Sequence, residues 1–101
     1  MKLGIPQKLQ SLFWSADVSD LDLEKHKAYI INQTLMYGLR EELKWLFKTY
    51  PVLEIKKTFI QSPDKIYTPA AFHFVKTMLL NIRQPLKTER YVRTLPRYIG
   101  S

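Results

Sequence analysis

The side chains best suited to catalysis are two histidines, His26 and His73, in a chain of 101 residues that contains no cysteine. Neither histidine has a nucleophile to activate, because there is no thiol and no serine in a nucleophile-elbow motif. The three glycines lie far apart, which excludes a glycine-rich phosphate-binding loop. We therefore predict no catalytic residue, no cofactor and no enzymatic activity, and we expect His26 to be a half-buried structural residue.

A cluster of acids could in principle bind a hard cation. In a calcium-binding loop that starts at Asp20, however, the sixth position is Lys25, where glycine is required, and the twelfth is Ile31, where glutamate is required. We predict no metal site, and we expect Asp20 or Asp22 to cap the following helix. The acids of the cluster are Asp17, Asp20, Asp22 and Glu24.

Positive charge is concentrated near the end of the sequence. The formal net charge is +7, and residues 83–101 contain five Lys and Arg against one Glu. Because tyrosines and a leucine alternate with these cations, we predict that this basic arm binds a partner protein. Packing on the chain's own surface and contact with nucleic-acid phosphates remain alternatives. The predicted partner-binding residues are Arg83, Lys87, Arg90, Tyr91, Arg93, Leu95, Arg97 and Tyr98.

The elements that position these side chains are predicted to be helices. Apolar residues recur at spacings of three and four, and no strand-like alternation of useful length occurs. Gly38 is typical of a helix end, Pro51 stops a helix, and Thr68 with Pro69 starts one. The predicted helices cover residues 6–13, 23–37, 39–49, 52–61 and 69–82.

The fold is therefore predicted to be all-α, a small bundle of four to five short helices with an extended basic C-terminal arm. Residues 1–82 would form one domain and residues 83–101 the arm. The last helix is apolar on most sides, so we expect it at the centre of the bundle. Residues expected to face inward include Leu39, Leu43, Phe47, Val52, Phe72, Val75 and Leu79.

Helices 52–61 and 70–81 also suggest a helix-turn-helix, whose second helix would enter the DNA major groove. Its polar strip would be His73, Lys76, Thr77 and Asn81. The connection is longer than the usual three or four residues, and the strip contains no arginine. A DNA-binding transcriptional regulator is therefore the alternative function, and direct DNA contact by these four residues the alternative site.

A succession of motifs between Leu12 and Ile82 resembles a family of short, largely uncharacterised prokaryotic helical proteins. Such proteins are often encoded beside nucleotidyltransferase toxins of the abortive-infection type. The resemblance thus implies an antitoxin that binds and neutralises a cognate toxin; a structural subunit of a larger assembly would share these features. Because residues 1–20 contain no unbroken apolar segment and no apolar run approaches the length of a membrane span, we also expect the protein to be cytoplasmic. The motifs are Leu12-Phe13-Trp14, Leu21-Asp22, Glu24-Lys25-His26, Ile30-Ile31, Tyr37-Gly38, Leu43-Lys44-Trp45-Leu46 and Thr68-Pro69 with Phe72.

Overall fold

Helix α1 (Lys27–Tyr37) forms the centre of the structure, a computed structural model that describes residues 5–14 and 16–92. Every residue from position 30 to position 35 is buried. Helices α2 (Arg40–Thr49) and α3 (Val52–Gln61) pack against α1. The described residues contain no strand, so the predicted all-α fold is confirmed.

Shorter helical segments complete the fold. A 3₁₀ helix, Gln7–Leu12, replaces the predicted first helix, and another, Val18–Asp20, follows it. Helix α4, Pro69–His73, begins as predicted, because the Thr68 side chain accepts a hydrogen bond from the Ala71 N–H and Pro69 occupies the first turn. A π-helical segment, Phe74–Leu79, continues α4, and a last 3₁₀ turn covers Thr88–Arg90.

The start of α1 shows how the acidic cluster is used. The Asp22 carboxylate accepts hydrogen bonds from the N–H groups of Glu24 and Lys25, at 2.8 and 2.9 Å. In return, His26 Nδ1 accepts the Asp22 N–H at 2.8 Å. This exchange fixes a turn ahead of α1, so the regular helix begins at Lys27 rather than at residue 23. The prediction of a half-buried structural His26 is confirmed.

Polar side chains in the centre of the bundle are hydrogen-bonded. Asn32 is fully buried; its Nδ2 donates to the Ser62 carbonyl at 3.0 Å, and its Oδ1 accepts the Tyr67 hydroxyl at 2.8 Å. Gln33 donates to the carbonyl of Leu12 at 3.1 Å. Asn32 therefore joins α1 to the end of α3 and to the segment that follows it. Since an unpaired buried polar group costs about 1–3 kcal/mol, these bonds specify one arrangement of the elements.

The prediction that the last helix is the centre of the bundle is wrong. Phe72 and Val75 are buried as expected, but Leu79 is only partly buried, and Met78 is 72% exposed. The reason is the change to i→i+5 hydrogen bonding, seen in the bond from the Leu80 N–H to the Val75 carbonyl, which rotates later side chains away from a 3.6-residue pattern.

Two other residues expected to face inward also lie on the surface. Leu39 is 73% exposed and Val52 is 47% exposed. Leu39 is the residue before α2, and Val52 is the first residue of α3. Neither is within a full helical turn, so the helical period does not govern where its side chain points.

The chain returns to the core after residue 82. Tyr91 is 1% exposed, its hydroxyl donates to the Phe59 carbonyl at 2.7 Å, and its own carbonyl accepts the Tyr67 N–H at 2.8 Å. Residues 83–92 are thus not an extended arm, because Tyr91 and Val92 belong to the hydrophobic core. We call the buried rings that meet here the aromatic cluster: Phe59, Tyr67, Phe72 and Tyr91.

Candidate partner-binding surfaces

The predicted partner-binding arm divides into three groups. Arg83, Lys87 and Arg90 are exposed, as a binding role requires. The prediction that Tyr91 binds a partner is wrong, because its ring is buried in the aromatic cluster. This burial also raises the pKa of the Tyr91 hydroxyl. The remaining predicted contacts lie outside the described residues: Arg93, Leu95, Arg97 and Tyr98.

The predicted DNA-contacting strip is not a single helix face. His73 and Thr77 are exposed, and the Thr77 hydroxyl donates to the His73 carbonyl. Lys76 Nζ donates to the Ile82 carbonyl at 3.2 Å, which draws it toward the end of the segment. Asn81 follows the helix end with a φ of 51°. Asn81 therefore belongs to the turn and not to the helix that was expected to present it.

The acids are engaged in local structure. The Asp17 carboxylate accepts hydrogen bonds from the Ser19 N–H and hydroxyl, at 3.0 and 2.8 Å, and these bonds lower its pKa. Asp22 caps the turn before α1. Within residues 5–14 and 16–92, no group of three or more His, Asp or Glu side chains is placed to hold a metal ion.

An exposed aromatic pair lies where the N-terminal segment meets the C-terminal end of α1. The Trp14 and Tyr37 rings meet edge to face with centroids 4.7 Å apart, and Trp14 is 60% exposed. Leu39 lines the same shallow hollow of about 280 Å³, together with Glu42. We call the surface formed by Trp14, Tyr37 and Leu39 the Trp14 patch.

The backbone that carries the Trp14 patch is held in place. Gln10 Nε2 donates to the Ala16 carbonyl at 2.8 Å, and Gln10 Oε1 accepts the Val18 N–H at 3.0 Å, so this side chain braces the loop around Trp14. On the other side, a Cβ at Gly38 would approach the Thr34 carbonyl oxygen to 2.5 Å, which requires glycine there. The Gln10 hydrogen bonds and the close approach at Gly38 therefore flank the residues that carry the exposed rings.

A second candidate surface is a groove beside α2. Leu43 and Phe47 of α2 and Leu79 of the π-helical segment supply apolar walls. The groove has a volume of about 570 Å³. Three cations at intervals of four residues border it: Arg40, Lys44 and Lys48. We call this surface the α2 groove.

The sequence alone does not predict a function for the Trp14 patch or for the α2 groove. Trp14 and Tyr37 are far apart in the sequence, and only the packing of the N-terminal segment on α1 brings their rings together. Leu43 and Phe47 were expected to be core residues, whereas both are partly buried and border the groove. The sequence feature that could have indicated the groove is the line of cations at positions 40, 44 and 48, which lies next to Leu43 and Phe47 on a helical wheel.

Comparison with known proteins identifies a family for part of the chain. A family model described as a family of unknown function, DUF6922, matches residues 9–59, about half of the chain. No curated protein and no solved structure matches the chain significantly. In the described residues, no helix has the length and apolar character needed to cross a membrane. The matched range contains the Trp14 patch, all of α1 and α2 and most of α3, and the chain belongs to the family of unknown function DUF6922.

Proposed function

We propose that this protein is a non-catalytic, antitoxin-like protein that binds and neutralises a cognate toxin. The toxin class that the sequence resemblance implies is a nucleotidyltransferase of the abortive-infection type. In this proposal the protein acts by binding its partner and not by catalysis. The main binding residues lie on the surface of the helical bundle, whereas the sequence predicted them on the basic arm.

The observation that supports this proposal most is the exposure of the Trp14 patch. Trp14 and Leu39 are 60% and 73% exposed, and Tyr37 completes one continuous apolar surface. Tryptophan and tyrosine are enriched among the residues whose truncation costs most binding energy in protein interfaces. A tryptophan that contributes little to the core, on a braced backbone, is the type of residue a protein partner would bury.

The exposed charges of the arm have a supporting role in this proposal. Arg83, Lys87 and Arg90 face solvent, whereas Tyr91 does not. Exposed charge increases the rate of encounter with an acidic surface but contributes little to the lifetime of the complex. We therefore expect these cations to affect the association rate and the Trp14 patch to affect the dissociation rate.

Transcriptional regulation by DNA binding is the less supported function. Asn81 lies beyond the helix that would enter the major groove, and Lys76 is bonded to the Ile82 carbonyl. The segment that would read bases is π-helical from Phe74 onward, which displaces its side chains from the usual recognition-helix positions.

The direct test is to co-purify this protein with the product of the neighbouring gene in its native host and to ask whether it rescues growth that this product arrests. We expect Trp14→Ala to weaken toxin binding by about thirtyfold, the effect of a hot-spot residue worth about 2 kcal/mol. The matched control is Leu53→Ala on α3, which removes a side chain that is 78% exposed. This control should change binding by less than about threefold.

Three outcomes would contradict the proposal. The first is that no toxin co-purifies with the wild-type protein and growth is not rescued. The second is equal loss of binding in the Trp14→Ala and Leu53→Ala variants, which would place the interface elsewhere. The third is tight, sequence-selective binding of operator DNA without a toxin, which would favour transcriptional regulation.

A further inference from the structure

The α2 groove combines apolar walls with unpaired positive charge. Leu43 and Phe47 are only partly buried, although both are large and apolar. Of the residues the structure describes, only Lys27 and Glu54 form an ion pair, so the three cations bordering the groove have no acid partner in this part of the chain. These cations are Arg40, Lys44 and Lys48.

The spacing of the cations matches one class of partner. Positions 40, 44 and 48 are separated by four residues, which places their side chains about 6 Å apart along one side of α2. Carboxylates at intervals of four on a second helix recur with the same spacing. A helix laid along α2 would align three acids with the three cations and direct its apolar face at Leu43 and Phe47.

We infer that the α2 groove is the docking site for an acidic amphipathic helix of a partner protein. This inference rests on the proposed function, and it names the partner chemistry and a second contact surface. The partner helix carries Asp or Glu at i, i+4 and i+8, with leucine-like side chains between them. Charge complementarity aligns the helix, while burial of Leu43, Phe47 and Leu79 stabilises the complex.

Other occupants fit the charges less well. Residues 93–101 of this chain contain Arg93 and Arg97 and no acid, so they would bring positive charge to a positive groove. A symmetric dimer through this face would oppose the same cations of two copies. Nucleic acid would match the cations, but its phosphates would leave the apolar walls without a partner.

The test uses the full chain and a synthetic helical peptide with Glu at i, i+4 and i+8 and Leu at i+3 and i+7. Binding is measured by fluorescence anisotropy over a range of salt concentrations. We expect the triple variant R40E/K44E/K48E to weaken binding by at least about tenfold and to reduce its salt dependence. The matched control, K8E/K57E/K65E, reverses three exposed lysines elsewhere and should change binding by less than about threefold.

The apolar part of the inference has its own control. Leu79→Ala should weaken peptide binding while leaving the circular dichroism spectrum unchanged, because Leu79 is only partly buried. Equal effects of the two triple variants would overturn the inference, as would failure of the peptide to bind at millimolar concentration. Stronger, groove-dependent binding of a DNA duplex would assign the cations to nucleic acid, and concentration-dependent self-association lost in R40E/K44E/K48E would assign the groove to a second copy.

Failure of this inference is distinguishable from failure of the proposed function. If the toxin binds the wild-type protein and R40E/K44E/K48E equally, the groove inference is wrong and the toxin-binding function stands. If the acidic peptide binds in the charge-dependent way described while no toxin co-purifies, the groove inference stands and the proposed toxin is wrong. The two experiments therefore answer separate questions.

Discussion

Two groups of aromatic side chains in this protein have similar composition and opposite surroundings. In the aromatic cluster, Tyr67 and Tyr91 are at most 1% exposed, and both hydroxyls donate hydrogen bonds inside the bundle. In the Trp14 patch, the Trp14 ring is 60% exposed and contacts Tyr37 at the surface. The cluster thus fastens the end of the described chain to α3, whereas the patch leaves aromatic surface open to a partner.

This difference changes the interpretation of Tyr91. An aromatic residue among basic residues has the composition of a binding segment, and that pattern led to the prediction that Tyr91 contacts a partner. The structure instead gives Tyr91 three aromatic neighbours, of which Phe59 and Phe72 lie nearest, each with ring centroids 4.7 Å from Tyr91. Residue type alone therefore does not identify a binding anchor, and exposure on an ordered backbone is the more informative property.

The largest expected effect is on the aromatic cluster. Tyr91→Ala should lower the free energy of unfolding by about 3–5 kcal/mol, because it leaves a cavity between Phe59 and Phe72. Denaturant unfolding followed by circular dichroism measures this loss. The matched variant is Trp14→Ala, which should lower stability by less than about 1 kcal/mol, since its ring is mostly exposed.

Truncation of the chain after Gln84 tests the same comparison. It removes Tyr91 and Val92, so it should destabilise the bundle as strongly as Tyr91→Ala does. A truncated protein with unchanged stability would show that residues 85–92 do not contribute to the core. Equal losses in Tyr91→Ala and Trp14→Ala would remove the distinction between cluster and patch.

The helix boundaries whose signals are local, among them the starts of α3 and α4, were predictable from the sequence. Thr68 caps α4 ahead of Pro69, and α3 starts directly after Pro51. In each case a side chain or a proline ring acts on the backbone within a few residues. The all-α fold follows from the same local periodicity.

The exposed and buried faces near the ends of elements were not predictable in this way. The return of Tyr91 depends on contacts with Phe59 and Tyr67, which lie 32 and 24 positions earlier in the chain. Met78 is exposed because the helix changes to π geometry, and no pattern in the sequence predicts that change. Both candidate surfaces have the same origin, because they form only where distant segments meet.

High pH should destabilise the fold through its buried tyrosines. Burial raises the pKa of Tyr67 and Tyr91, because it disfavours the phenolate in the folded state. In the unfolded chain tyrosine ionises near pH 10. These two hydroxyls therefore leave stability unchanged below about pH 10 and lower it as the pH rises further, because the unfolded state then releases protons that the folded state retains.

The measurement is a reversible alkaline titration that records tyrosinate absorbance and circular dichroism together. We expect part of the tyrosinate signal to appear in one cooperative step, at the same pH at which the helical signal is lost. Recovery of both signals on return to neutral pH controls for chemical damage. Complete tyrosine ionisation with the helical signal retained would show that the aromatic cluster is open to solvent.

The smallest expected difference concerns single hydroxyl groups. Tyr67→Phe removes the donor to Asn32 Oδ1 and leaves that buried oxygen without this bond, so stability should fall by about 1–3 kcal/mol. Tyr37→Phe removes a hydroxyl from a residue that is 36% exposed and should change stability by less than about 0.5 kcal/mol. Denaturant curves with equal slopes give both values directly. Similar losses for the two variants would mean that the Tyr67 hydroxyl stabilises the bundle no more than a surface hydroxyl does. The hydrogen bond to Asn32 would then contribute nothing to holding Tyr67 against α1, and packing of its ring would be the remaining contribution.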